Sequence, residues 1–361
     1  MVTRRQFLAQ SAGLLAAPSM GVGATREVVD VLGNVVRLNA VPRRIVLLDA
    51  TDFYFMAALL PDPAERIVGW ASAARLDLGA QSWLLGDGFP EVGKISPGSV
   101  SVEAILSLNP DLVVASAYMM PEGAVLKRHL DSIGIPVAWT SDYEHDFGPA
   151  EKFHRAVSFW GAVLDQGDAR VAELTALGMS QFEALKARPA TGDLPRVYME
   201  IMTTYDSCCW AAGRSFWGDL FALAGGDLIA ESDGWGAQLS TEGLMARNPE
   251  VYIATGGNFA LGLQPGIAPG LDPDEGRAGL RQAAQRPALR DTDAVRNGRV
   301  HGIWSGLISS PLFLPVLAER LAKWLHPAHF ADLDPTATLA ALNACFPKPL
   351  PDPMWLSIGD E

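Results

Sequence analysis

The sequence is poor in cysteine and in basic charge. Only three of its 361 residues are cysteine, which excludes a disulfide-framework protein, and no cysteines show the repeated C-x-x-C spacing of a zinc site. Acidic residues outnumber Lys and Arg by 41 to 28, for a formal net charge of −13. Because such a surface repels nucleic acid and anionic membranes, we expect no nucleic-acid partner.

Signature motifs of several enzyme classes are also missing. The sequence has no Walker loop or Rossmann glycine fingerprint, no Gly-x-Ser-x-Gly elbow and no His-Glu-x-x-His helix. After the N-terminus it has no apolar stretch of about 20 residues that could span a bilayer. The whole chain is 49% hydrophobic and 19% charged, and it is long enough for two lobes with cores of their own.

The first 24 residues predict export. Arg4 and Arg5 are followed by Phe7 and Leu8, a short apolar run and a small-residue cleavage site at 22–24. The pattern resembles a twin-arginine signal, which carries folded proteins across the bacterial inner membrane. An ordinary secretory signal that holds two arginines is the alternative. Both predict a periplasmic protein, which argues against chemistry driven by ATP or NAD.

An internal repeat organises the rest of the chain. Residues 101–116 and 240–255 match at a constant offset of 139, with five of sixteen positions identical: Ser, Glu, Asn, Pro and Ala. Each copy predicts a short helix followed by a buried strand, and proline ends the helix because it disfavours the helical conformation of the preceding residue. Chance similarity of two helix–strand units is the alternative, but the matched Glu and Asn-Pro favour a duplication.

Other short apolar runs predict strands separated by helical stretches. This alternation is typical of α/β lobes with mostly parallel sheets. The predicted strands are 45–48, 66–69, 112–115 and 137–140 in a first lobe, and 197–202, 251–255 and 300–303 in a second.

A long stretch without strands separates the two groups. Within it, residues 168–186 carry apolar side chains at roughly helical spacing, and Pro189 and Gly192 end the pattern. We predict an α/β fold of two Rossmann-like lobes with mostly parallel sheets, joined by a single long α-helix. The predicted boundaries are a signal at 1–24, an N-terminal lobe at 25–148, a helical segment with the joining helix at 149–190, a C-terminal lobe at 191–346 and a tail at 347–361.

The order and spacing of these features resemble the periplasmic substrate-binding proteins of ABC importers, in the class that carries ferric siderophores, haem and cobalamin. The resemblance lies in segments 30–46, 101–111, 297–301 and 322–327. It implies a monomeric binder, not an enzyme, with no resident cofactor. Such a protein captures an iron–siderophore or similar metal chelate between its lobes and delivers it to an inner-membrane permease. Haem or a corrinoid is the alternative cargo.

In that family one surface glutamate on each lobe docks onto permease arginines, and the resemblance assigns this role to Glu103 and Glu242. Two carboxylates far apart on one rigid face orient a partner, and arginine matches a carboxylate in bidentate fashion. Both glutamates also follow a serine at the start of a predicted helix, so they stabilise a helix N-terminus in the second interpretation. The two roles are compatible.

Aromatic and cationic residues follow the predicted strand ends, where ligands bind in open α/β sheets. Flat rings suit a planar or aromatic-rich ligand, and arginines suit the negative charge of a ferric siderophore or a haem propionate. The predicted ligand-binding residues are Trp70, Arg75, Tyr118, Tyr143, Tyr205, Trp210, Arg214, Trp235, Phe259 and Trp304.

The sequence leaves two other functions open, the binding of a bare metal ion and catalysis by an exported enzyme. A bare zinc or manganese ion needs two or three histidines, and of the six only His145 and His301 are placed to face a cleft. An exported enzyme needs a nucleophile, and Cys208-Cys209 is the one unusual dipeptide; it could instead form a vicinal disulfide or a bridge to Cys345. Neither pattern supplies a complete set of groups, so we predict no metal ligand and no catalytic residue.

Overall fold

The computed structural model describes residues 25–78, 88–94, 98–116, 122–141, 147–203, 209–257 and 265–359. The first element is an antiparallel hairpin of β1 (Arg26–Val29) and β2 (Val35–Leu38). Its side chains alternate, so that Val28 and Val36 pack against the protein core.

The N-terminal lobe is built on a sheet of five parallel strands. They are β3 (Ile45–Leu47), β4 (Ile67–Ala71), β5 (Glu91–Gly93), β6 (Leu112–Ser116) and β7 (Val137–Ser141). The order in the sheet is β5-β4-β3-β6-β7. Its helices are α1 (Phe53–Leu59), α2 (Val102–Ser107) and α3 (Glu122–Ser132).

Helices cover both faces of this sheet, which is why its strands are apolar throughout. Ile45 and Leu47 point to the side of α1, whereas Val46 packs with apolar side chains of α2 and α3. All five residues of β6 are buried.

Two helices connect the lobes, α4 (Pro149–Leu164) and α5 (Asp168–Lys186). A three-residue turn at 165–167 separates them, and Asp165 adopts the left-handed conformation there with φ 56°. Helix α4 packs against α1 and β7 of the N-terminal lobe, and α5 packs along α4. The helical segment expected between the lobes is therefore a pair of helices, of which α5 is the one anticipated from the apolar spacing.

The C-terminal lobe contains a mixed sheet of seven strands. They are β8 (Arg196–Glu200), β9 (Trp210–Ala212), β10 (Asp227–Leu228), β11 (Gly236–Gln238), β12 (Val251–Gly256), β13 (Val300–Trp304) and β14 (Trp355–Ser357). Strands β8, β10, β12 and β13 are parallel, and β9, β11 and β14 extend the sheet through antiparallel pairs.

Seven helices accompany this sheet. They are α6 (Arg214–Ala224), α7 (Thr241–Arg247), α8 (Pro273–Ala284), α9 (Asp293–Arg296), α10 (Gly306–Ser309), α11 (Leu314–Leu325) and α12 (Pro335–Asn343). Helix α11 packs against α4, α5, α6 and α12, so the helical layer is continuous from one lobe to the other.

The predicted two-lobe α/β fold is confirmed, and each of the seven predicted strands is present. The prediction that residues 347–361 form a tail is corrected, because this segment contains β14. Met354 and Leu356 are buried, and β14 pairs with β13 and forms the edge of the sheet. The prolines and glycines of this segment indicated a tail, and a strand of only three residues gave too weak a pattern to predict.

Candidate functional site

The carboxyl ends of the parallel strands in the two lobes meet. Trp304, the last residue of β13, donates from Nε1 to Oδ2 of Asp77, which follows β4, at 3.0 Å. Thr51, which follows β3, donates from Oγ1 to the carbonyl of Ser309 at 3.2 Å. Ligands of open α/β sheets bind beyond the carboxyl ends of the strands. The cleft between these two edges is therefore the candidate site.

Arg75 places a cation at the carboxyl edge of the sheet in the N-terminal lobe. It lies in a short 3-10 turn, Ala73–Leu76, directly after β4. Its Nη1 donates to Asp49 Oδ2 at 2.7 Å, and 35% of its side chain stays exposed. Asp49 is fixed in turn, because its Oδ1 accepts from the Thr51 amide at 3.1 Å and the Thr51 hydroxyl at 2.8 Å. The guanidinium is thus held in place and remains accessible to an anionic group.

Asp52 lies buried beside this pair. Its Oδ2 is 2.7 Å from Thr140 Oγ1, and its Oδ1 accepts from Trp160 Nε1 at 3.4 Å. Burial and the charge of Asp49 raise the pKa of Asp52 to about 8, and the bonds to Thr140 and Trp160 oppose the rise only in part. The carboxyl is largely protonated at neutral pH. Sequence reasoning missed both aspartates, although two acids directly after an apolar strand were a usable signal.

Trp70 and Trp304, predicted as ligand contacts, lie inside the protein. Trp70 is 4% exposed and packs edge-to-face on Phe89, with ring centroids 5.0 Å apart. Trp304 is fully buried against Tyr54 and Phe313, at 5.8 Å from each ring. These two predictions are corrected, because neighbouring rings cover both indoles: Phe89 packs on Trp70, and Tyr54 and Phe313 pack on Trp304.

Trp210 and Trp235 form a stacked pair at the carboxyl edge of the sheet in the C-terminal lobe. Their ring centroids are 5.7 Å apart and the planes meet at 10°. Trp210 begins β9 beside the carboxyl end of β8, where its carbonyl accepts from the Ile201 amide at 3.0 Å. Both side chains are half-buried. The structure thus brings together two aromatic residues that the sequence predicted separately.

Glycine at 213 makes this arrangement possible. A Cβ there would lie 1.8 Å from the carbonyl oxygen of Gly234, so only glycine allows the close approach. The Gly213 amide donates to the carbonyl of Trp235 at 2.9 Å, which ties the two segments together. The next residue, Arg214, begins α6 with 60% of its side chain exposed, 3.9 Å from Asp233. Arg214 thus places a cation on this edge, as Arg75 does on the edge of the N-terminal sheet.

A buried ionic cluster at the end of β8 was not predicted. Glu200 is 1% exposed, and Arg286 donates to both of its oxygens, at 2.9 Å to Oε1. Tyr252 donates to Glu200 Oε2 at 2.5 Å and accepts from Arg286 at 2.9 Å. Burial and the Glu200 charge raise the pKa of Tyr252 well above its usual value, so it stays a neutral donor. The cluster satisfies its own charges and fixes the corner from which the chain leaves β8.

Several predicted residues lie outside the described part of the chain. They are Tyr118, Tyr143, Tyr205 and Phe259, together with His145 and Cys208. Cys209 is in a disulfide whose partner also lies outside the described residues, and Cys345 is a free thiol. The alternative bridge to Cys345 is therefore wrong.

His301 does not face the cleft. It lies within β13, where its ring stacks on Trp324 at 4.3 Å and its Nδ1 is 2.9 Å from Ser357 Oγ. Burial and then the charges of Arg299 and Arg320 lower its pKa to about 3, so it stays neutral. Among the described residues no cluster of three or more His, Cys, Asp or Glu side chains is arranged to hold a metal ion.

Glu103 and Glu242 occupy equivalent places in the two lobes. Each is exposed in the first turn of its helix, and the serine before it caps that helix: Ser101 accepts from the Ala104 amide at 3.1 Å, and Ser240 from the Gly243 amide at 2.9 Å. Helix α2 starts beside the carboxyl end of β5, and α7 starts where β11 ends. Both glutamates therefore lie on the edges that border the cleft.

In the described ranges, no helix is long and apolar enough to cross a membrane. The family model for periplasmic binding proteins matches residues 58–305. This chain belongs to that family, and the suspected class, the substrate-binding proteins of ABC importers, is confirmed.

Individual relatives agree with this class. The chain is 25% identical over 344 residues to the molybdate-binding protein MolA of Haemophilus influenzae, covering 89% of this chain and 90% of that protein. It is 22% identical over 247 residues to YvrC of Bacillus subtilis, an uncharacterized ABC transporter substrate-binding lipoprotein, covering 67% of this chain and 70% of that protein. Both relatives are named as binding proteins.

Among solved structures, the fold is similar to that of the TroA-like periplasmic binding protein FepB from Veillonella parvula. The TM-score is 0.78 at 22% identity, and the match covers 92% of this chain and 99% of that chain. MolA of H. influenzae bound to molybdate gives a TM-score of 0.69 at 19% identity, over 89% of this chain and 98% of that chain. At these identities the likeness establishes the fold alone.

Proposed function

We propose that this binding protein carries a metal chelate, a ferric siderophore in the first place, in the cleft between its lobes. The arrangement that carries the proposal is an arginine on one edge of the cleft and a stacked pair of indoles on the other. The accessible guanidinium of Arg75 suits the anionic groups of a chelate, and Trp210 with Trp235 offers flat apolar surface. A haem or a corrinoid would use the same features and is the next candidate.

Molybdate is a second candidate, which the likeness to MolA over 89% of the chain favours. A small oxyanion would use Arg75 but would leave the indole pair without a role. A bare divalent cation is disfavoured for two reasons. His301 is buried away from the cleft, and the edge of the N-terminal sheet carries the partly exposed cation of Arg75.

Glu103 and Glu242 are proposed to dock this protein onto its permease in the inner membrane. Their exposure on both rims of the cleft supports the role, since a permease that contacts both lobes would cover the opening through which the ligand leaves. The helix caps at Ser101 and Ser240 fix the two carboxylates on short, rigid turns. Arginines on the permease would complement them.

Export to the periplasm by the twin-arginine route is proposed from residues 1–24. Replacement of Arg4 and Arg5 by lysine should retain the protein in the cytoplasm if that route is used. Unchanged export of the variant would favour an ordinary secretory signal.

The experiment that tests the ligand class is a tryptophan fluorescence titration of the mature protein, starting at Thr25. The panel holds ferric hydroxamates, ferric catecholates, haem, cobalamin, molybdate and free divalent metals, with iron-free siderophores as matched controls. Saturable quenching by one ferric chelate at micromolar or lower concentration supports the proposal. A response to molybdate alone or to a free metal alone contradicts it, and so does silence across the panel.

A further inference from the structure

The loop that carries Arg75 has an unusual backbone. Ser72 and Asp77, at its two ends, are non-glycine residues with φ 56° and φ 49°. Side chains other than glycine rarely adopt this left-handed conformation, and it persists only where surrounding contacts determine it. The segment 72–77 must therefore be held from outside.

Besides the bonds that the Ser72 and Ala73 amides donate to Gly93 and Glu91, three contacts at Arg75, Leu76 and Asp77 help to hold it. Arg75 donates to Asp49, and Tyr54 Oη donates to the carbonyl of Leu76. The third contact comes from the other lobe, where Trp304 donates from Nε1 to Asp77 Oδ2 at 3.0 Å. The indole is fully buried and is itself fixed by the rings of Tyr54 and Phe313. One residue of the C-terminal lobe thus fixes the end of the loop whose centre carries the exposed cation.

The other half of the ion pair is tied to the same lobe. Thr51 donates its amide to Asp49, and its hydroxyl lies 2.8 Å from Asp49 Oδ1 and 3.2 Å from the carbonyl oxygen of Ser309, so its single proton is shared between the two acceptors. Both members of the Asp49–Arg75 pair are consequently linked to the C-terminal lobe within a few residues. A change in the angle between the lobes would act on this pair.

We infer that Asp77 is a positioning residue for ligand capture: its bond to Trp304 fixes the Arg75 loop relative to the C-terminal lobe. The inference rests on the proposed function, in which Arg75 binds the anionic part of the ligand. This bond explains why a fully buried tryptophan ends a strand at the edge of the cleft. It also explains why a carboxylate, and not an apolar residue, lies opposite the indole N–H.

The test uses the mature protein and three substitutions. Trp304→Phe keeps an aromatic ring, smaller than the indole, and removes the N–H donor, Asp77→Ala removes the acceptor, and Asp77→Asn keeps an acceptor oxygen. Trp324→Phe, which changes a tryptophan of the same lobe away from the cleft, is the control. Hydrogen exchange of segment 72–77 and the rate of Arg75 modification by phenylglyoxal are both measured without ligand.

We expect exchange in 72–77 to rise at least ten-fold in Trp304→Phe and Asp77→Ala, and Arg75 to be modified faster. Asp77→Asn and Trp324→Phe should remain near the wild type. Affinity for ferric 2,3-dihydroxybenzoate, the anionic probe, should fall about ten-fold in the first two variants and recover in Asp77→Asn. Unchanged exchange in both Trp304→Phe and Asp77→Ala overturns the inference. If the wild-type protein binds no member of the titration panel, the proposed function is refuted instead. The exchange result still decides whether Asp77 fixes the Arg75 loop.

Discussion

Arg44 and Arg196 make the same contacts in the two lobes. Arg44 immediately precedes β3 and Arg196 is the first residue of β8, and each donates to the carbonyls at the end of a short helix. Arg44 bonds to the carbonyls of 108 and 109 at 2.6 and 2.9 Å, and Arg196 to those of 247 and 248, at 3.0 Å to each from Nε and Nη2 respectively. The repeat recognised in the sequence is thus a repeat of structure.

The acidic residue of each copy completes this arrangement. Asp111 accepts from the Arg44 amide at 2.9 Å, and Glu250 accepts from the Arg196 amide at 3.0 Å. Asn109 and Asn248, which precede the matched prolines, both adopt the left-handed conformation, with φ 45° and 43°. The shared Asn-Pro and acid therefore form one turn that joins helix to strand.

Replacing either arginine by alanine should destabilise its lobe. Each side chain satisfies carbonyls at a helix end, and hydrogen bonds that involve a charged group contribute about 1.5–3 kcal/mol to stability. We expect this loss in the free energy of unfolding, measured by urea denaturation. The control is Arg37→Ala, whose side chain is 73% exposed and pairs only with Glu27 among the contacts described for it. Equal effects of all three substitutions would show that the turn contributes nothing.

Asp52 should make stability depend on pH. Its folded-state pKa of about 8 lies above the ordinary value of 3.8, so the folded protein retains a proton that the unfolded chain releases. The free energy of unfolding should therefore fall as the pH rises from about 4 to 8, by at most roughly 6 kcal/mol. Asp52→Asn mimics the protonated acid and should be more stable than the wild type at pH 8 and similar at pH 4. The exposed control Asp62→Asn should follow the wild type, and an Asp52→Asn profile that does the same would contradict the assignment.

Glu103→Ala combined with Glu242→Ala should separate delivery from capture. Because both carboxylates are exposed on the rims, ligand affinity in solution should stay within about two-fold, while uptake in cells that depend on this importer should be lost. Glu27→Ala with Glu173→Ala removes two exposed charges elsewhere and should leave uptake intact. Lost affinity in the first pair would move these glutamates into the binding site.

The indole pair should select among chelates. Trp235→Ala removes one face of the stack, so affinity for an aromatic ferric catecholate should fall about ten-fold or more, since a stacked pair contributes about 1 kcal/mol beyond its buried area. Affinity for an aliphatic ferric hydroxamate should fall less. Trp139→Phe, a buried change in the other lobe, serves as the control. Equal losses for both chelates would remove the pair from ligand selection.

Periodicity and the repeat were sufficient to predict the fold, because buried parallel strands are continuous apolar runs and Asn-Pro ends a helix. Strands β5, β9, β10, β11 and β14 escaped prediction because they are short and lie outside runs of Val, Ile and Leu, whereas β3, which is as short as β5, lies in such a run at 45–48. The joining segment was predicted to be helical, but the turn at 165–167 was not.

The site was less predictable from the sequence. Trp70 and Trp304 were predicted on the same grounds as Trp210, yet they are buried, since exposure near a strand end depends on which side chains from distant parts of the chain pack there. Asp52 and Glu200 were missed for the converse reason: a buried charge is recognised only with its partners, and Thr140 and Arg286 are about 88 and 86 residues away along the chain. Contacts between distant segments decide these roles.

The most direct test of the account is the affinity of the responding chelate for the Arg75→Ala variant, measured by isothermal titration calorimetry. Arg277→Ala, which removes an arginine paired with Asp274 on α8, is the matched control. The account predicts that Arg75→Ala weakens binding at least 30-fold while the control binds as the wild type does. Wild-type affinity in Arg75→Ala would contradict the central claim that an anionic ligand is held at the carboxyl edge of the N-terminal sheet.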